Sequence, residues 1–193
     1  MSTDPSTTGG PDEGEHAGLE VDERLDAGDL IEDPRLDSEA LCLCGVLWST
    51  AAAAGPVVEL LAAGDFTRPA HGALFTLIAE QLRRGRPQDP ASIAAVITGQ
   101  GTGAHQGSLL TRALADATAA GATPESAGHH AVNVLSAAYR RSFHTAAAAL
   151  AQAAGQLPTD ALFDHLVAIG RTQRTATERL QHAATALDSS RTP

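Results

Sequence analysis

Residues 162–187 read LFDHLVAIGRTQRTATERLQHAATAL. In this stretch Leu162, Leu166, Ile169, Gln173, Ala176, Leu180, Ala183 and Leu187 alternate strictly by four and three positions. A strand repeats every two residues and a helix every 3.6, so the stretch is helical, with a seam of coiled-coil type. Gln173 is the one polar member and is placed to set register. Just upstream, Val132, Leu135, Tyr139, Phe143, Ala146, Leu150 and Ala153 keep a similar step until Gly155 to Pro158 interrupts it. Thr159 or Asp160 then caps the second helix. Two long helices joined by a tight loop make an antiparallel αα-hairpin. The first helix alone can fill the seam of the second, or the hairpin can present apolar surface to another chain. Val134, Phe163, Val167 and Ala184 lie off the seam and favour the second arrangement, a dimerising hairpin.

Working outward from the hairpin, the rest of the chain reads as shorter helices. Order begins near Leu36, with Asp37 or Ser38 as N-cap and Leu41, Cys44 and Trp48 at helical spacing. Gly55-Pro56 breaks that helix, and Pro56 takes the first position of a short second one that carries Val57, Leu60 and Leu61 and stops at Gly64. The loop Asp65-Phe66-Thr67 leads to a helix from Arg68 to Arg84 with Leu74, Leu77, Ile78 and Leu82 inside, and Gly85 is its C-terminal cap. Asp89 caps the next helix, Pro90 opens it, and Ile93, Val96 and Ile97 form its apolar face. The glycine-rich stretch from Gly99 to Gly107 has neither a strand before it nor a lysine after it, so it is a connector and not a phosphate cradle. Ser108 caps a last short helix with Leu109, Leu110 and Leu114, ended by Gly121. The expected fold is all-α, a compact helical subdomain over 37–122 followed by the long hairpin over 123–188. Residues 1–36 form an acidic tail and 189–193 a disordered end.

Composition sets further bounds. Residues 1–37 hold twelve acids against Arg24 and Arg35, so the whole net charge of −10 sits there, and the remaining eleven acids and eleven arginines cancel. Such a tail has too few large apolar groups to bury and order itself. It keeps the chain soluble, shields a basic patch or competes with nucleic acid. No apolar run approaches the ~20 residues of a membrane span. The polar start from Met1 to Gly10 lacks the features of a signal peptide, so the expected location is cytoplasmic. The chain contains no lysine. A P-loop and lysine Schiff-base chemistry are therefore both excluded. Cys42 and Cys44 point about 200° apart on a helix, which suits small core residues and not a metal clip.

The segment Gly64-Asp65-Phe66-Thr67-Arg68-Pro69-Ala70-His71-Gly72-Ala73-Leu74-Phe75 resembles the signature of the N-terminal domain of DnaB-type replicative helicases. That family reads Asp-Phe-Tyr-Arg, two residues, His, three residues, Phe, and Thr67 stands for its tyrosine. Ser38 and Glu39 with Leu41 resemble the family's opening Ser-Glu-x-x-Leu helix, with the leucine one position early. Arg84-Gly-Arg-Pro-Gln-Asp89 resembles its Arg-Gly-x-Pro-Ile-Asp. Ser126 to Arg141 resembles a later Tyr-Ala-x-x-Val segment and its arginines, with His130 at the tyrosine position. The likeness spans about 38–187. It implies a helical subdomain plus a hairpin that pairs between subunits in a collar, where primase and some helicase loaders dock. The family continues into an ATPase domain, absent from this chain, so strand unwinding is not implied.

The resemblance and the residues together point to a non-catalytic replication module. It is expected to self-associate, as a dimer or higher oligomer, and to bind a replicative helicase, primase or loader. No cofactor, metal or membrane is expected. Asp65, Phe66, Arg68, His71 and Phe75 are the structural motif residues. Asp65 is expected to cap the following helix, His71 to hydrogen-bond back to the loop, and Phe66 to anchor it. No nucleophile accompanies them. Leu135, Tyr139, Phe143, Leu150, Leu162, Leu166, Ile169, Leu180 and Leu187 are the oligomerisation residues of the hairpin. Arg83, Arg84, Arg86, Arg140 and Arg141 are candidate phosphate contacts. They support the alternative, a weak DNA-binding protein with an autoinhibitory acidic tail, but no aromatic residues interleave with them.

Overall fold

The computed structural model of the chain describes residues 33–99 and 104–189, less the side chains at 104–105 and 187–189. Expectations for residues 1–32 and 190–193, for the connector at 100–103 and for the side chain of Leu187 lie outside these.

Asp37 accepts the Glu39 N–H at 2.9 Å and caps α1, Ser38–Trp48. Ser49 closes this helix, because its N–H reaches back to Val46 and its hydroxyl to the Gly45 carbonyl. The chain turns at once into α2, Ala51–Leu60, capped by Thr50. The break therefore falls at Ser49-Thr50, and Pro56 sits inside a helix instead of opening one. The carbonyl that Pro56 leaves unbonded belongs to exposed Ala52, where water replaces the lost bond. A 3₁₀ turn at Ala63–Asp65 leads to α3, Pro69–Arg83. Gly85 follows at φ 64°, a conformation that costs a residue without a β-carbon nothing.

Asp89 caps α4, Pro90–Gly99, through bonds from the Ala91 and Ser92 N–H groups. The next helix, α5, spans Ala104–Ala119. Ser108 is thus inside it and not its cap: the C-terminal part of the glycine-rich stretch continues the leucine-bearing helix instead of forming loop. A 3₁₀ turn at Pro124–Ser126 leads to α6, Ala127–Gln156, and another at Thr159–Ala161 to α7, Leu162–Ser189. The chain is all-α, with no strand among the described residues.

The core forms around α1, which packs against α3, α5 and α6 and is buried nearly all round. Leu43, Val46 and Leu47 of α1 belong to one apolar cluster with Leu74 and Ile78 of α3 and Ile93 of α4. The first third of α6 belongs to the same core through Ala127, Ala131, Val134 and Leu135, and α7 returns to it at Ala183. Val134, read from the sequence as an outer residue of the hairpin, is buried to 1% exposure because α6 crosses α1 there. Gly45 makes that crossing close: a β-carbon on it would lie 2.8 Å from that of Ala127. Core packing therefore runs through the expected division at residue 122. Only the part of the hairpin beyond about Tyr139 projects from the body. Cys42 and Cys44 are free thiols in the core.

Candidate interaction site

Two polar clusters hold the loop between α2 and α3, and the second ties it to the hairpin. The first surrounds Glu39, whose side chain is 10% exposed. Glu39 lies in the first turn of α1 and reaches across to the start of α3, where it accepts the N–H groups of Thr67 and Arg68. Its Oε2 also accepts from His71 Nδ1 at 3.0 Å, which requires that this nitrogen carry the proton. Burial works against the charged carboxylate, but hydrogen bonds from His71, Thr67 and Arg68 outweigh it and hold the Glu39 pKa below its ordinary value. Two helix N-termini meet at this one carboxylate. Beside it, Arg68 Nη1 lies 3.2 Å from Asp37 Oδ2, in ion-pair reach although that oxygen accepts no aligned hydrogen bond.

The second cluster surrounds Asp65, whose side chain is 8% exposed. Asp65 accepts the Ala62 N–H at 2.7 Å and both amino groups of Arg179 in a fork, at 2.7 and 2.5 Å. Arg179 also donates to the Leu60 carbonyl at 2.8 Å. From α6, Arg141 donates to Thr67 Oγ1 and to the Asp65 carbonyl. Both helices of the hairpin thus bond one loop of the body. Planar guanidinium groups suit this role, since each offers several donors in fixed directions.

The structure separates residues that the sequence groups together. Asp65 turns away from Arg68 and His71 towards Arg179, and does not cap α3. That helix has no side-chain cap at Arg68, and Glu39 satisfies its start instead. His71 bonds Glu39, not the loop backbone. Phe66 is buried against Phe75, their ring centres 5.1 Å apart. Asp37, Glu39 and His71 place ligand atoms within 4.8 Å of one another, a spacing that would suit a metal. Backbone and imidazole N–H groups already occupy both Glu39 oxygens, and the Arg68 cation faces Asp37, so the donor set favours a structural cap over a cation site.

The hairpin has a polar middle and an apolar outer half. Tyr139 hydroxyl meets Thr177 Oγ1 at 3.0 Å, and Gln173 donates to the Ser142 carbonyl at 3.1 Å while Ser142 Oγ bonds its amide oxygen. Leu135 and Leu180, grouped in the sequence with the oligomerisation residues, pack into the body. Leu150, Leu162 and Ile169 are half-buried between the helices. Phe143 and Leu166, read as seam residues, are 47% and 48% exposed, and Phe163 is 70% exposed. Phe143 lies nine positions from buried Val134, about half a turn round α6, and Gly170 stands the same way to Arg179 on α7. Phe143, Phe163, Leu166 and Gly170 therefore share the face of the hairpin turned away from the body.

The candidate phosphate contacts do not converge. Arg83 pairs with Glu59 at 3.5 Å and Arg84 with Glu80 at 3.4 Å at the end of α3. Arg141 is committed to the loop, and Arg86 and Arg140 are exposed at separate places.

A family model described as the DnaB-like helicase N terminal domain matches residues 32–135. The chain belongs to that family. A solved structure similar to this DnaB-like domain is the N-terminal domain of DnaB helicase from Mycobacterium tuberculosis, at 26% identity and a TM-score of 0.56. The likeness covers 75% of this chain and 94% of that one. No curated protein matches the chain. The DnaB-like domain is a non-catalytic, helicase-associated replication domain. The matched span holds both polar clusters except for Arg141 and Arg179, which the hairpin supplies. Of the described residues, no helix is long and apolar enough to cross a membrane. Sequence reasoning missed Arg179, because a pairing across 114 residues leaves no local pattern.

Proposed function

We propose that this DnaB-like domain is a replication interaction module that self-associates through the projecting half of its hairpin and binds a replicative helicase, a primase or a helicase loader. The observation that carries the reading is the apolar outer face. Phe143, Phe163 and Leu166 stay in water on a regular helical scaffold, where large apolar side chains gathered on one face mark an interaction surface. Family membership supports a partner in replication. The alternative, weak DNA binding, has less support, since Arg83, Arg84 and Arg141 are already engaged by protein groups.

The test is mass by light scattering, for the chain alone and mixed with the host's replicative helicase and primase. A dimer or larger species, or a stable mixed complex, is the expected result. A strict monomer indifferent to both proteins would overturn the proposal. DNA binding that weakens steeply with salt would then favour the alternative.

A further inference from the structure

Along α7 the residues one position past the inner seam form a second stripe. Phe163, Val167, Gly170 and Arg174 step by four, three and four, about 100° round the helix from Leu162, Leu166, Ile169 and Gln173. Asp160 precedes Phe163 by three positions, in the 3₁₀ turn that opens the helix, and Asp164 and Arg171 run along one edge. Asp160, Asp164, Arg171 and Arg174 are exposed, and none joins an ion pair among the described residues. Gly170 sits in mid-helix, where glycine weakens the helix relative to alanine. A β-carbon there would meet no described atom of the chain within 4 Å, so the chain's own packing does not call for glycine. A shallow cleft of about 450 Å³ runs past it and Arg174.

The stripe is complementary to itself when reversed. Asp160 lies seven positions before Val167, and Arg174 seven after it. Asp164 lies three before and Arg171 four after, while Phe163 lies four before and Gly170 three after. Two antiparallel copies of α7 that cross at Val167 therefore bring acid to arginine at four places, and at two they bring the Phe163 ring over the gap at Gly170. Parallel copies would set arginine against arginine and acid against acid. The overlap from 160 to 174 is about 21 Å long. It ends short of Thr177, where the bond to Tyr139 ties the two helices near the body, so the paired arms need no body surface. Glu178 falls beyond the overlap, level with the uncharged turn from Gln156 to Pro158 of the second copy.

We infer that a second copy of this chain packs its α7 antiparallel on the first about Val167, held in that register by Asp160–Arg174 and Asp164–Arg171 pairs and by Phe163 seated at Gly170. The inference rests on the proposed self-association and adds the orientation, the register and the residues that make the hairpin select its own kind. A two-fold contact uses the same surface on both copies, so this face closes at two chains and takes no third.

Charge reversal in the full chain tests the register. Arg171→Asp with Arg174→Asp makes the stripe wholly acidic, and Asp160→Arg with Asp164→Arg makes it wholly basic. Either double variant alone should raise the dimer Kd about tenfold or more at low salt, read by light scattering across a dilution series. Mixed one to one, the two should recover a dimer with one chain of each, resolved by native mass spectrometry. All four sites are exposed, so thermal melts should show both variants folded. Cross-linking reads the geometry. Val167→Cys should form a disulfide to itself under mild oxidation, whereas Arg174→Cys should not, its two copies lying at least about 21 Å apart. The native thiols are buried and do not compete. Pairing that neither reversal weakens, no recovery on mixing, or self-linking at Arg174→Cys would overturn the register while wild-type mass still reads self-association on its own. A wild type that stays monomeric at every concentration would overturn both.

Discussion

Replacing Asp65 by asparagine tests whether the hairpin is fastened to the body by one carboxylate. The substitution keeps shape and one acceptor but removes the charge that faces Arg179. A hydrogen bond to a charged group contributes about 1.5–3 kcal/mol, and breaking a fully buried ion pair costs about 3–5 kcal/mol. Arg179 is 38% exposed, so it recovers hydration, and it keeps its bond to the Leu60 carbonyl. The lower range applies, about 2 kcal/mol for Asp65→Asn. Asp65→Ala also strips the acceptor from the Ala62 N–H and should cost about 3 kcal/mol. With Arg179→Gln as the second arm, a double-mutant cycle should return a coupling of about 1–1.5 kcal/mol. Urea unfolding followed by far-ultraviolet circular dichroism is the suitable assay, because Trp48 is 55% exposed and its fluorescence reports the core poorly. A coupling below about 0.3 kcal/mol would show that the fork does not hold the two parts together.

Three further outcomes follow from other contacts. Glu39→Gln should cost about 1–2 kcal/mol at neutral pH. Because the folded pKa of Glu39 is depressed, its contribution is complete above the ordinary value of 4.5 and is lost as pH falls through the folded value, so wild type and variant should converge in acid urea melts. A gap that stays constant with pH would refute the assigned role. Gly45→Ala places a β-carbon 2.8 Å from that of Ala127, and overpacking of about 1–3 kcal/mol should outweigh a helix-propensity gain of about 1 kcal/mol. Thermal melts check the sign, and a stabilised variant would mean that α1 and α6 separate easily. Phe163→Ser, at a side chain 70% exposed, should leave the melting temperature nearly unchanged while lowering the mass seen by light scattering. Unchanged mass would remove this residue from the pairing surface.

Much of the fold was legible in the sequence because its signals are local. Asp89 before Pro90 and Gly85 after Arg84 act within one turn, and each does what its chemistry requires there. The heptad spacing of α7 likewise gave a helix without reference to anything else. Where the reading failed, a distant group had taken over a local role. Ser49 ends α1 before Pro56 is reached, and its carbonyl is claimed by Gln88 from another loop at 2.6 Å. The Asp65 carboxylate was a plausible cap until Arg179 and Glu39 divided the work between them. The hairpin was read as one seam, but α6 changes neighbours along its length. Val134 faces the body, Ser142 faces α7 and Phe143 faces neither, and spacing alone does not distinguish these directions.

The grip of Arg141 and Arg179 on one loop makes the projecting hairpin a lever with a short polar fulcrum. From Arg141 to Gln156 the arm is about 23 Å at 1.5 Å per residue. A rotation of about 10° at the grip would swing the tip by about 4 Å, enough to bring apolar side chains into or out of contact across a helix interface. Hydrogen bonds tolerate little misdirection, so the joint favours discrete settings over continuous drift. Substitutions around Asp65 should therefore show first as altered geometry at Phe163 and Leu166, far from the change itself.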